Sequence, residues 1–202
     1  MRDVTAIILA AGLSRRMGGR NKLLLPVGGV PMIRHMVDVY SAATARPVLV
    51  VTGHEADDVA AAMADSQAMT VFNRDHAKGQ ATSVACGLRA ANDAGAVLIG
   101  LGDQPLLTTG DIRSLLGAHM SADRQRISIP AMNQRRGNPI VVPAALRARL
   151  LADPRSPGCK TFTRAHPEHV QFHALAARGF YADIDTPEAY ETLIARRLED
   201  TA

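Results

Sequence analysis

Along the first hundred residues, apolar positions come in short continuous runs separated by helical patterns. Val4 to Leu9, Pro47 to Thr52 and Ala96 to Leu101 do not alternate with polar residues. Runs of this kind suit strands covered on both faces, as in a parallel sheet. Met69 to Phe72 is a shorter run of the same type. Between the runs, Ile33, Met36, Val37 and Tyr40 fall on one face of a helix over Met32 to Ala43. Pro31 suits the first turn of that helix. Glu55 to Met63 is Ala-rich and helical. A further helix, capped by Thr82 or Ser83, places Val84, Leu88 and Ala91 on one face. Another, started by Thr108 or Thr109, turns Ile112, Leu115 and Leu116 inward. This alternation predicts an α/β architecture with helices on both faces of a mostly parallel sheet.

The last third alternates less cleanly. Ile127 to Ala131 and Pro139 to Val142 read as strands around a basic turn, Gln134 to Asn138, whose Gly137 suits a hairpin. Helices follow from Pro143 to about Leu151 and from Cys159 to His166. His169 to Ala174 reads as a strand and Tyr181 to Asp185 as another. Thr186-Pro187-Glu188 is a cap, a first-turn proline and a first-turn acid for a last helix to about Leu198. There is no linker, repeat or low-complexity run. The expectation is one domain over residues 1–202, with about 126–182 facing a substrate.

Composition narrows the classes. Hydrophobic residues make up 47%, aromatics only 3%, and tryptophan is missing. Few aromatic platforms argues against binding of single-stranded nucleic acid. The formal charge of +4 is spread along the chain, which favours a local anion site over a polyanion surface. Cys86 and Cys159 lie far apart without a CxxC pattern and read as free thiols in a reducing compartment. Arg2 and Asp3 lead directly into a strand, which is no signal-peptide pattern. No apolar stretch reaches the roughly 18 residues of a membrane span. A cytoplasmic protein with no membrane partner is expected.

Candidate chemistry sits where strands end. The loop after Leu9 and Ala10 holds Ala11, Gly12, Ser14, Arg16, Gly18 and Lys22. Gly12 lets backbone approach a ligand, and Arg16 and Lys22 supply charge, so the loop suits phosphate. It is not a dinucleotide fingerprint, because the glycine after Gly12 is Gly18. It is not a Walker loop, because no GK[ST] follows. Asp103 ends a buried strand and can hold Mg²⁺ or cap the turn before Pro105; Asp185 can be a second carboxylate for that ion or cap the last helix. Lys78 to Ser83 precedes a helix and leaves amides for a base or phosphate. Arg135 to Pro139 is a basic turn that can meet an acidic substrate or solvent. No HExxH or GxSxG pattern occurs, so neither a zinc site nor a serine triad is expected.

These residues carry a family resemblance. Leu9-Ala10-Ala11-Gly12-Leu13-Ser14-Arg15-Arg16-Met17-Gly18 with Asn21-Lys22-Leu23-Leu24 resembles the LAAGxSxRMG…K opening of nucleotidyltransferases that build sugar nucleotides and cofactor dinucleotides. Gly102 to Pro105, Arg136 to Pro139, Asp183 to Glu188 and the loop Asn73 to Ser83 resemble the molybdenum cofactor cytidylyltransferases. The resemblance implies a Rossmann-like three-layer sandwich, with a nucleotide-binding part over about 1–125 and an acceptor-facing part plus C-terminal helix over about 126–202. It implies transfer of CMP from CTP to the phosphate of molybdopterin or the molybdenum cofactor, releasing pyrophosphate, with Mg²⁺ or Mn²⁺ and with a molybdoenzyme as client. Arg16, Lys22 and Asp103 would be catalytic. Leu9, Ala10, Ala11, Gly12, Lys22, Gly79, Gln80, Ala81 and Ser83 would bind nucleotide. Arg136 and Asn138 would bind the acceptor, and Asp103 and Asp185 the metal. Ala11 resembles the cytidylyl type, whereas guanylyl relatives have glycine there. Two departures fall on the acceptor side: Asn138 stands where many relatives have histidine, and Ser156 to Lys160 replaces a Gly-Ala-Arg run. Rival readings are a guanylyltransferase, a nucleotidyltransferase for another phosphorylated acceptor, a non-catalytic cofactor carrier and a nicotinamide-dependent oxidoreductase.

Overall fold

The computed structural model describes residues 3–91, 95–152 and 159–199, with the side chains of 196–199 outside the description. The first strand, β1 (Val4–Ala10), lies near the middle of the sheet. Its residues point alternately to the two faces: Ala6, Ile8 and Ala10 enter one core, Ile7 the other. That double burial is why the run shows no polar alternation.

A small hairpin, β2 (Pro26–Val27) and β3 (Val30–Pro31), follows the opening loop. Gly28 and Gly29 turn it with φ of 62° and 86°, the left-handed pair that a two-residue hairpin needs. Next come α1 (Met32–Ala43), β4 (Leu49–Thr52), α2 (Ala56–Ala61), β5 (Met69–Phe72) and α3 (Gln80–Ala90). Then follow β6 (Ala96–Leu101), α4 (Thr109–Ser121), β7 (Ile127–Met132), β8 (Arg135–Arg136) and β9 (Ile140–Pro143). The chain ends with α5 (Ala144–Ala152), α6 (Cys159–Ala165), β10 (Val170–Ala174) and α7 (Pro187–Glu199).

The sheet order is β10-β7-β9-β6-β1-β4-β5, with β8 paired to β7. On that path only β9 runs against its neighbours. The expected mostly parallel α/β sandwich is therefore present. β4 and β6 flank β1, so the chain winds outward in both directions from it. A crevice forms at such a switch point, beyond the carboxyl ends of β1 and β6.

One core packs α1 and α4 on the sheet through Met36, Tyr40, Ile112 and Leu115. The opposite core uses Val84 and Leu88 of α3, Leu146 and Leu150 of α5 and Phe162 of α6. Close contacts decide two glycines. A Cβ on Gly100 would lie 1.7 Å from the Tyr40 hydroxyl, and one on Gly87 would lie 2.6 Å from Ile7. The first lets the fully buried Tyr40 ring lie against β6; the second lets α3 settle on β1. Thr108 caps α4 by a reciprocal box, its Oγ1 accepting from the Asp111 N–H at 3.1 Å while Asp111 accepts from the Thr108 N–H at 2.9 Å.

Between α4 and the β7/β10 pair, the buried Ser128 hydroxyl meets His119 Nδ1, His173 Nε2 and Gln171 Nε2, each at 2.9 Å. A hydroxyl has one proton and two lone pairs. Gln171 donates to it, so at least one imidazole must be neutral and accept. Burial, aided by neighbouring positive groups, lowers the His119 imidazole below its ordinary value, and burial lowers His173 as well.

Three sequence expectations change. The basic turn lies at Asn133 and Gln134, with φ of 48° and 64°, and Arg135–Arg136 is strand. Gly137 serves a close approach instead: a Cβ there would lie 2.6 Å from the Phe180 carbonyl oxygen. The segment from Tyr181 to Asp185 is no strand, because its bonds go to loops and side chains. Ile184 N–H donates to the Asp103 carbonyl at 2.8 Å, and Arg135 Nη2 donates to the Tyr181 carbonyl at 3.0 Å. The helix α3 begins earlier than expected, at Gln80 after Gly79 with φ of 112°. The Thr82 hydroxyl turns back to the Gly79 carbonyl at 2.8 Å instead of capping.

Candidate active site

The opening loop is held by its own short-range bonds. Ser14 takes a left-handed conformation with φ of 47°, and Arg15–Met17 form a single 3-10 turn anchored by the buried Met17. Asn21, itself buried, accepts the Leu23 N–H through Oδ1 at 3.1 Å. The Lys22 N–H donates to Ser14 Oγ at 3.3 Å. These bonds fix the backbone of Lys22 and aim its side chain across the crevice.

Across the crevice lie Asp103, just after β6, and Asp185, just before α7. The backbone bond from Ile184 to Asp103 holds the two loops together. Thr186 caps α7 by accepting the Ala189 N–H at 3.3 Å, which leaves the Asp185 carboxylate for the crevice. Lys22 Nζ pairs with both carboxylates, with Asp103 Oδ2 at very short range and with Asp185 Oδ1 at 2.7 Å. Arg16 adds a 2.6 Å contact to Asp185. Lys22 is 12% exposed and Arg16 is 66% exposed. The lysine pairs are therefore the strong ones, because solvent screens Arg16.

The electrostatics follow from this packing. Burial alone would lower Lys22, but the two carboxylates, Asp103 foremost, outweigh it and hold the ammonium charged above its ordinary value. Burial raises the Asp103 carboxyl despite Lys22. At Asp185 burial is outweighed by Lys22 and Arg16 together, and the carboxyl is lowered. Asp103 Oδ1 is buried with no hydrogen-bond partner. A buried carboxylate oxygen without a partner suits a hard cation, and Mg²⁺ takes one or two such carboxylates and keeps water on its other positions. Among the described residues, no group of three His, Cys, Asp or Glu could hold a metal alone. The donor set fits an ion that shares its coordination with phosphate and water.

Two cavities open on the crevice. One, of about 580 Å³, is lined by Leu9, Ala10, Ala11, Gly12, Arg16 and Lys22 on the loop side. Gly79, Gln80, Ser83, Asp103 and Asp185 close it from the other side. No side chain caps the first turn of α3, and with the Thr82 N–H bonded to the Gly79 carbonyl at 3.2 Å, the N–H groups of Gln80 and Ala81 are the ones left for a ligand. The second cavity, of about 760 Å³, has Ile99, Ile129 and Ile140 on its apolar wall and Arg136, Lys160 and Arg164 as its cations. Leu9, Gln80, Leu101 and Asp183 line both.

The sequence-derived site residues thus gather around one crevice, divided between two cavities. Ala81 faces the second cavity rather than the first, beside Arg136 and Asn138. Lys160 also lines it; the rest of the departure from Ser156 to Gly158 lies outside the described residues. Sequence reasoning missed His76, which lines the first cavity, and Asp183, which lines both. The signal for His76 was its place in the polar loop before α3. For Asp183 it was the repeated carboxylate in Asp183-Ile184-Asp185.

Comparison with known proteins agrees with this geometry. Residues 6–170 match the family described as MobA-like NTP transferase domain. The chain is 29% identical over 199 residues to nicotine blue oxidoreductase of Paenarthrobacter nicotinovorans, covering 95% of this chain and 96% of that protein. It is 37% identical over 141 residues to the bifunctional protein GlmU of Pelobacter propionicus, covering 69% of this chain and 30% of that longer protein. Among solved structures, a nucleotidyl transferase from Methanothermobacter thermautotroptrophicus superposes with a TM-score of 0.84 at 25% identity, over 99% of this chain and 100% of that one. On the match over residues 6–170, the chain belongs to the MobA-like NTP transferase family.

Proposed function

We propose that the protein transfers CMP from CTP to the terminal phosphate of molybdopterin or its metal-loaded form, giving a cytosine dinucleotide and pyrophosphate. The observation that carries this reading is the pair of cavities sharing a wall of Leu9, Gln80, Leu101 and Asp183, with the paired Lys22, Asp103 and Asp185 lining the first. The first cavity takes the nucleoside triphosphate, and Arg16, Lys22 and the Gly12 backbone draw its phosphates to the crevice. Ala11 supports a pyrimidine base. A Cβ on Gly53 would lie 2.9 Å from Ala11 and 2.5 Å from His76, so this wall is closed. The second cavity takes the acceptor, whose ring faces fit the isoleucine wall and whose polar edges fit Asn138 and Gln134.

In the reaction an acceptor phosphate oxygen attacks the α-phosphorus of CTP, and the bond to the bridging oxygen of the β-phosphate breaks. The attacking oxygen is already an anion, so no protein base is needed. Asp103 and Asp185 would hold Mg²⁺ or Mn²⁺, which when bound supplies positive charge against the phosphates. Lys22 and Arg16 offset the charge of the departing pyrophosphate, and the fixed loop aligns the donor. A pyrophosphate-release assay with each of the four NTPs, molybdopterin and Mg²⁺ tests this. CTP-dependent release supports it. Release from GTP alone moves the assignment to the guanylyl type.

A second reading is favoured by the near full-length similarity to nicotine blue oxidoreductase. On it, the same crevice would hold a redox cosubstrate. Oxidation of NADH or NADPH with a dye acceptor, and no pyrophosphate release from any NTP, would select that reading.

A further inference from the structure

We infer that His76 selects an amino-bearing pyrimidine over a keto-bearing one, discriminating CTP from UTP; this rests on the reading that the first cavity binds CTP. The His76 ring is fixed on several sides. Its Nδ1 lies 3.1 Å from the Asn73 carbonyl oxygen. A carbonyl has no proton to give, so Nδ1 is the donor, and in its neutral form the ring carries the lone pair on Nε2. The Cβ and Cγ of His76 occupy the space a side chain at Gly53 would fill, 2.5 and 2.6 Å from the Cβ position there. Phe72 packs on the ring at 6.4 Å between centroids.

The loop that carries His76 is itself clamped. Asn73 is buried, its Nδ2 donates to Thr82 Oγ1 at 2.8 Å and to Ser83 Oγ at 3.0 Å, and its Oδ1 accepts the Asp75 N–H at 3.0 Å. Those bonds tie the loop to the first turn of α3. The result is an acceptor nitrogen with a fixed tautomer, on a residue that lines the cavity and with no protein partner for Nε2 among the described residues.

An exocyclic amine meets that lone pair as a donor. The O4 carbonyl of uracil meets it as a second acceptor, and the two repel. A site built to bond one group rejects the analogue that cannot make the bond, by about tenfold to a hundredfold for one such contact.

The test measures kcat/KM for CTP and for UTP in pyrophosphate release, and calorimetric binding of each nucleotide without acceptor. The wild-type protein is expected to favour CTP by about tenfold or more in both. His76→Phe keeps an aromatic ring and loses both nitrogens, the Nδ1 bond to Asn73 among them; its CTP preference is expected to fall to within about threefold, through weaker CTP binding. His76→Gln, whose amide can present either oxygen or nitrogen, is expected to narrow the preference too, and serves if the phenylalanine variant does not fold. A wild-type preference for CTP that survives both substitutions overturns this inference alone. A wild-type protein that uses only GTP, or no NTP, overturns the CTP reading and this inference with it.

Discussion

The two cavities on the crevice handle charge in opposite ways. In the first, Lys22 and Arg16 are already matched by Asp103 and Asp185. In the second, Arg136 rests on Thr163 Oγ1 at 3.4 Å and over the Phe172 ring at 4.9 Å, and neither it, Lys160 nor Arg164 pairs with a carboxylate among the described residues. The first cavity is therefore neutral at rest. On the proposed function it gains by exchange, a metal taking the carboxylates and phosphate the lysine. The second holds standing positive charge and gains by simple addition of an anion. The proposed function uses this contrast: the matched side would take a metal–nucleotide complex and the unmatched side a bare anionic acceptor.

The strongest way to break this contrast is to remove a member of the matched set. Asp103→Asn and Lys22→Ala are each expected to lower turnover about 10²-fold or more, the scale for losing one preorganised charge. Steady-state pyrophosphate release checks this, with a thermal melt to show that the fold survives. Near wild-type rates for either would remove the crevice from the chemistry. Arg136→Ala and Lys160→Ala are expected to act more weakly and on one substrate only. Each should raise KM for the acceptor by about tenfold while KM for CTP holds, since each removes one charge-assisted contact. A rise in KM for CTP instead would dissolve the division between cavities.

The mildest expected effect lies away from the crevice, in the Ser128 network. His119 and His173 are both lowered, so the unfolded chain takes up protons first as pH falls through the ordinary histidine range. Stability should be level above about pH 7 and decline from there toward pH 5. Urea unfolding at the two ends of that range checks the sign. His119→Gln, which stays neutral, should flatten the decline.

The site was most readable where local chemistry acts alone. Val4 to Leu9 and Ala96 to Leu101 showed themselves as strands because both faces are buried, and Thr108 and Thr186 as caps because the oxygen and the N–H lie three residues apart. Lys22, Asp103 and Asp185 each stood out at a loop. What stayed hidden depends on distant partners. Tyr181 to Asp185 has the composition of a strand, yet Asp103 and Arg135 take its backbone bonds. His76 is fixed by Asn73 and by the empty Cβ position of Gly53, and neither contact leaves a pattern in the chain. The left-handed Asn133 and Gln134 turn a hairpin without glycine, so the nearby Gly137 drew the turn toward itself.

Leu9 and Leu101 line both cavities, so only a side chain's width separates the two, and on the proposed function donor from acceptor. A product joined across that wall is anchored at both ends at once. Each anchor holds the other at high local concentration, so the joined molecule stays longer than either half would. Pyrophosphate, attached to neither end, leaves freely. On the proposed function, the joined product then has the longest residence time of the reacting species and leaves stepwise, one anchor at a time.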